Sequence, residues 1–178
     1  MREKTCCFTG HRQLPEDQKP EITAKLEEAI VSLIYSGYLY FGAGGALGFD
    51  TMAAQTVLRL RKSYPQIKLI LVLPCISQAV RWAPEDVRTY REIMKQADKV
   101  VYTSQDYSPG CMFKRNRHLV DHSSVCICYL TKGSGGTAYT IEYAKKHGLK
   151  IFNIAEFGCR NVSQFETHFP KPRTEKNW

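Results

Sequence analysis

Short, densely apolar runs alternate along this chain with longer stretches in which apolar residues return every three or four positions. Lys4 to Thr9 predicts a short strand that runs into Gly10-His11-Arg12. From Pro20 to Ser36, the residues Ile22, Leu26, Ala29, Ile30, Leu33 and Ile34 fall on one helical face, and Gly37 supplies a stop. Tyr38 to Ala43 predicts a second strand, ending in the turn Gly42-Ala43-Gly44-Gly45-Ala46-Leu47-Gly48. The helix after it carries Phe49, Met52, Ala53, Thr56, Val57 and Leu60 inward and ends at Tyr64-Pro65. Ile67 to Leu73 is almost unbroken apolar sequence, as in a parallel strand covered on both faces. Pro84 opens a helix with Val87, Tyr90, Met94 and Ala97 inward, followed by a short strand, Lys99 to Tyr102. Met112 to His122 predicts a helix and Val125 to Leu130 a strand. Gly133-Ser134-Gly135-Gly136-Thr137 then leads into a helix that stops at Gly148, and Lys150 to Ile154 is the last strand.

Strands alternate with helices and no hairpin signal interrupts them, which predicts βαβ units. The expected fold is a Rossmann-like, doubly wound α/β domain with a mainly parallel sheet and helices on both faces. Residues 1–169 are expected to form this single domain. Residues 170–178, with two prolines and mixed charge, are expected to form a flexible tail.

Composition agrees with this picture. A chain of 178 residues with 43% hydrophobic and 24% charged residues is an ordinary globular domain, which excludes disordered, collagenous and low-complexity scaffolds. No apolar run approaches the roughly 18–20 residues that span a bilayer. Met1-Arg2-Glu3-Lys4 leads straight into a strand, without a signal peptide's apolar stretch. A cytoplasmic protein with no membrane partner is expected. The seven cysteines are odd in number and lack metal-ligand spacing, so no metal site is expected, and they read as small buried hydrophobes in a reducing compartment.

The net charge of +8 favours anionic partners. Arg59, Arg61 and Lys62, and likewise Lys145 and Lys146, read as solvated helix faces. Lys114-Arg115-Asn116-Arg117 differs, because it opens a helix just after Pro109-Gly110. There an arginine suits bidentate contact to a phosphate, and the neighbouring amide suits a base or ribose. Arg115 is expected to behave as a surface arginine.

In an open parallel sheet, ligands bind outside the carboxyl ends of the strands. Three unusual segments follow strands here: Thr9-Gly10-His11-Arg12, the Gly42–Gly48 turn and the Gly133–Thr137 turn. Glycines allow close backbone approach, and the helix start that follows each turn favours an anion. Neither turn is a P-loop, because no Lys-Ser or Lys-Thr closes the glycine run. Gly42-x-Gly44-x-x-Leu47 also departs from the dinucleotide fingerprint, which disfavours an NAD dehydrogenase. Asp50 near a helix start can accept from a ribose hydroxyl, and Trp82 can stack on a base. His11 and His118 are acid–base candidates without a visible partner.

Taken in order, Thr9-Gly10-His11-Arg12, the run from Gly42 to Asp50, Gln78 with Trp82, Lys114-Arg115-Asn116-Arg117 and Gly135-Gly136-Thr137-Ala138-Tyr139-Thr140 resemble the SLOG superfamily. The resemblance is to its YspA/YpsA-like branch and runs from about Thr5 to Ile154. It implies a Rossmann-like pocket for nucleotides or nucleotide-derived ligands. The superfamily includes the DNA-processing DprA proteins and the LOG phosphoribohydrolases. LOG enzymes use a helical arginine, matched by Arg115, and a glutamate three residues after the threonine of a Pro-Gly-Gly-x-Gly-Thr motif. In this chain Thr140 stands in the glutamate's place and Lys132 in the proline's. Glu142 lies two residues on, about 200° around a helix, and is a poor substitute.

The expected phosphate-binding residues are therefore Gly10, His11, Arg12, Gly44, Gly45, Arg115, Asn116, Gly135, Gly136 and Thr137, with Asp50 and Trp82 on ribose and base. Arg115, Glu142 and His11 are weak catalytic candidates. The expected partner is a small nucleotide-like ligand. No resident cofactor is required, and a homo-oligomer is compatible with the sequence. A LOG-like hydrolase with an altered acid is one alternative function. DprA-like binding of single-stranded DNA is the other, and nucleic acid is the less favoured partner.

Overall fold

A computed structural model describes residues 1–156; residues 157–169 of the expected domain and the expected tail lie outside the described residues. The strands are β1 (Thr5–Gly10), β2 (Tyr40–Ala43), β3 (Lys68–Leu73), β4 (Lys99–Tyr102), β5 (Val125–Tyr129) and β6 (Lys150–Asn153). The helices are α1 (Lys19–Tyr35), α2 (Phe49–Leu60), α3 (Pro84–Gln96), α4 (Cys111–Asp121) and α5 (Gly136–Lys146). Six strands form one sheet in the order β4-β3-β2-β1-β5-β6. Every pairing in it is parallel. Most expected and observed elements differ by a residue or two at their ends, where helices fray and strands leave the ladder, but α2 stops at Leu60, four residues before the expected Tyr64-Pro65 end.

Side chains of successive strand residues point to opposite faces, and the two faces have different covers. On one, Phe8, Phe41, Leu69, Leu71 and Ile127 pack under the inward stripes of α1 and α2. The stripe expected for α1 is the one buried: Ile22, Leu26, Ala29, Ile30, Leu33 and Ile34. On the other face, Cys7, Cys126 and Cys128 pack with Leu119 and Val120 of α4 and Ile141 and Ala144 of α5. The cysteines serve there as compact apolar side chains. α3 departs from expectation. Ile93 is its buried residue, while Tyr90 and Met94 are half-buried, because it covers the sheet edge next to half-exposed β4.

β1 and β5 are neighbours, with Thr9 opposite Cys128 and Gly10 opposite Tyr129. The chain leaves β1 toward α1 on one face and leaves β5 toward α5 on the other. The crevice beyond these two strand ends is the switch point of the sheet. Among the described residues, no helix is long and apolar enough to cross a membrane.

Candidate functional site

A cavity of about 330 Å³ opens at this switch point. Thr9, Gly10, His11 and Arg12 reach it from the end of β1. Ala46 and Asp50 come from the turn after β2 and the first turn of α2. Met112, Phe113, Arg115 and Asn116 come from α4, and Gly136 and Thr137 from the start of α5.

Arg115 is the inner wall. It sits on the α4 stripe Cys111, Arg115 and Leu119, all buried. It is only 4% exposed, which corrects the expectation of a surface arginine. Its Nε donates to Asn116 Oδ1 at 2.7 Å, its Nη1 donates to the Gly44 carbonyl, and Nη1 lies 3.9 Å from Asp50 Oδ2. Gly44 is a glycine for this reason, since a Cβ there would collide with the guanidinium and the Asp50 carboxylate. Burial pushes the Asp50 carboxyl above the usual range, while Arg115 and the Ala46 N–H, 3.4 Å from Oδ2, hold it back. Burial draws Arg115 below its ordinary value, with Asp50 opposing, and the guanidinium keeps its charge.

The turn after β2 therefore has an internal partner. The Ala46 amide points at Asp50, Gly44 lies under Arg115, and Gly45 packs on Leu73 while its carbonyl accepts from Gln78 Nε2 at 3.0 Å. Gly44 and Gly45 are thus scaffold beneath the cavity rather than part of its lining. Gly48, at φ 75°, lies against the Arg12 carbonyl where a Cβ would collide, and the Phe49 N–H donates to the His11 carbonyl at 3.1 Å. These contacts fasten the start of α2 to the end of β1.

Asn116 is held at both ends of its amide. It accepts from Arg115 and donates through Nδ2 to Thr140 Oγ1 at 2.9 Å, and the Thr140 hydroxyl donates to the Gly136 carbonyl at 2.8 Å. The run Arg115–Asn116–Thr140–Gly136 ties α4 to the first turn of α5. Gly135, at φ 98°, caps that helix, whose first N–H groups have no partner within the helix and carry partial positive charge.

His11 Nε2 accepts from the Thr131 N–H at 2.9 Å, which places the ring proton on Nδ1. Its ring stands edge-on to Tyr129 at 6.0 Å. Burial, and next the charge of Lys132, lower its pKa below the usual histidine value. Arg12 is exposed and makes no salt bridge among the described residues.

Three residues singled out in the sequence stand elsewhere. Trp82 packs edge-on against Tyr90 at 5.3 Å, beside α3. Glu142 pairs with Lys145 at 3.1 Å on the exposed side of α5. His118 stacks on His122 at 4.1 Å. Conversely, sequence reasoning missed Met112 and Phe113 as lining residues and the structural part of Thr140. The Phe113 ring is 41% exposed at the rim and meets Tyr139 edge-on at 4.6 Å.

The arrangement offers an exposed cation and a helix start for an anion, a buried carboxylate for hydroxyl donors, and an aromatic face at the mouth. Among the described residues, Asp50 is the one carboxylate lining it.

The model of the YspA SLOG family matches residues 6–155. The SPbeta prophage-derived protein YoqJ of Bacillus subtilis is 29% identical over 72% of this chain and 80% of its own length. A UPF0398 protein of Halalkalibacterium halodurans is 30% identical over 70% of this chain and 68% of its own. Among solved structures, DNA processing protein A (DprA) from Streptococcus pneumoniae matches 92% of this chain with a TM-score of 0.62 at 18% identity. DprA from Helicobacter pylori, described for its single-stranded DNA binding mode, matches 84% with a TM-score of 0.59 at 19% identity. This chain spans 54% and 64% of those two solved chains, and at such identities the likeness is one of fold.

Proposed function

This chain belongs to the YspA SLOG family, and we propose that its switch-point cavity binds a nucleotide or nucleotide-derived ligand, gripping the phosphate. One observation carries the reading: exposed Arg12, the start of α5 and the buried Asp50–Arg115 pair all face a single cavity. Arg12 and the first amides of α5 would hold the phosphate. Asp50 would accept from a ribose hydroxyl, and Phe113 would present its ring to the base. Arg115 shapes this cavity from within, because Asp50 lies beside its charge and its Nε and Nη1 donate to Asn116 and Gly44.

Binding without turnover suits these groups. Cleaving an N-glycosidic bond builds positive charge on the sugar, so a free carboxylate close to it matters most. Thr140 is neutral and hydrogen-bonded on both sides, and Asp50 already has Arg115 beside it. Single-stranded DNA is the second reading, supported by the likeness of fold to the Helicobacter pylori DprA. Mass spectrometry of ligand retained through native purification, paired with a thermal-shift screen of nucleotides, tests the proposal. A retained nucleotide and concentration-dependent stabilisation are expected. No shift with any nucleotide at millimolar concentration would overturn the proposal, and binding to oligonucleotides alone, with steep salt dependence, would favour the DNA reading.

A further inference from the structure

Arg12 lines three cavities at once. Besides the 330 Å³ cavity, it borders one of about 580 Å³ alongside α1 and α2 and one of about 690 Å³ beyond the ends of β1 and β5. The two larger spaces differ in charge. In the 580 Å³ cavity the other cations are already neutralised, Lys19 by Glu16 at 2.5 Å and Arg59 by Glu27 at 2.6 Å, and Asp86 adds a carboxylate. In the 690 Å³ cleft the charged side chains are Arg12 and Lys132, both exposed and neither in a salt bridge among the described residues. No acidic side chain among the described residues lines it.

Two like charges facing one cleft repel, and a shared anion turns that repulsion into attraction. The remaining groups suit an anion with polar surroundings. His11 lines both this cleft and the smaller cavity, with Nε2 held by the Thr131 N–H and Nδ1–H left as its donor. Gln18 accepts from the Tyr129 hydroxyl at 3.5 Å through Oε1, which leaves its amide N–H groups to donate.

We infer that the cleft is a second anion subsite, with Lys132 its specificity-determining residue. The ligand is then of dinucleotide type: one nucleotide occupies the 330 Å³ cavity and the second phosphoryl group sits between Arg12 and Lys132. This rests on the nucleotide reading of the smaller cavity. At 330 Å³ that cavity lies at the lower end of the range that holds small molecules, about 300–1,000 Å³, so a second unit needs the neighbouring space.

Calorimetric titration of the full chain with three probes tests the inference: AMP, a 5′-phosphorylated 3′,5′-linked diadenylate, and diadenosine 5′,5′-diphosphate. The wild type is expected to bind one dinucleotide about tenfold or more tighter than AMP, the gain of roughly one charge-assisted contact. Lys132→Gln is expected to bring that ratio down to about twofold or less. Whichever dinucleotide gains separates a strand fragment from a pyrophosphate-bridged molecule. Equal affinity for AMP and both dinucleotides, or a ratio untouched by Lys132→Gln, would overturn the second subsite while leaving the nucleotide reading intact. Binding of none of the three would overturn both.

Discussion

Asp50 Oδ2 lies 3.9 Å from Arg115 Nη1, with the two residues only 6% and 4% exposed, so the buried charge of the site is paired within the protein. The pair closes the floor of the cavity, and Gly44 is the residue small enough to lie under it.

Arg115→Ala should therefore act on stability first. Removing one partner strands a buried carboxylate, a loss of about 3 kcal/mol or more. That corresponds to a fall in Tm of about 6–12 °C for a domain of this size. Adding Asp50→Asn to the variant should recover part of the loss, because the stranded charge is gone. Thermal denaturation of the three proteins checks this. A Tm unchanged in Arg115→Ala would show that the pair is not structural.

Thr140 should behave as a strut between α4 and α5. Thr140→Val removes the acceptor of Asn116 Nδ2 and the donor to the Gly136 carbonyl, at a cost of about 1–3 kcal/mol. Thr140→Ser keeps both bonds and should cost less. The wild type should release no base from AMP, monitored chromatographically over hours. Turnover on the order of 1 per second would contradict the binder reading and make Asp50 and His11, which line the cavity, the candidate catalytic groups.

His11 should make stability fall with acid. Its pKa in the fold lies below that of the unfolded chain, so between the two values the unfolded state binds more protons. The stability from neutral His11 is present above about pH 6.5, the unfolded value, and is lost as pH falls through the folded value. Lowering pH from about 7.5 to 5.5 should therefore cost the wild type more Tm than His11→Gln. His118, whose pKa is also lowered, contributes equally to both proteins. Parallel Tm–pH curves would show that His11 carries no such linkage.

Much of this architecture is written in local patterns. The α1 stripe and the strand–helix alternation fix which faces are buried, and glycine-rich strand ends mark the carboxyl edge. Arg115 was legible in principle, since Cys111, Arg115 and Leu119 recur at four-residue spacing, but three cations in four residues suggest a solvated face. Thr140 likewise lies on the buried stripe Thr137, Thr140, Ile141 and Ala144. The partner of His11 leaves no mark in the sequence, because it is a backbone N–H 120 residues away. Trp82 reads as a base platform in the sequence, because its edge-on packing against the Tyr90 ring, eight residues on, leaves no local mark. Phe113, one residue before the basic run, reaches the rim instead.

The central claim is that this cavity grips a phosphate, with Arg12 at its mouth and the start of α5 beside it. Titrating AMP and adenosine into the wild type and Arg12→Ala by calorimetry tests it most directly. Arg12 is exposed and outside any salt bridge among the described residues, so the variant should fold normally. AMP should bind the wild type more tightly than adenosine, and Arg12→Ala should weaken AMP by about tenfold while changing adenosine far less. Equal affinity for AMP and adenosine, or an equal loss of both in the variant, would contradict the account.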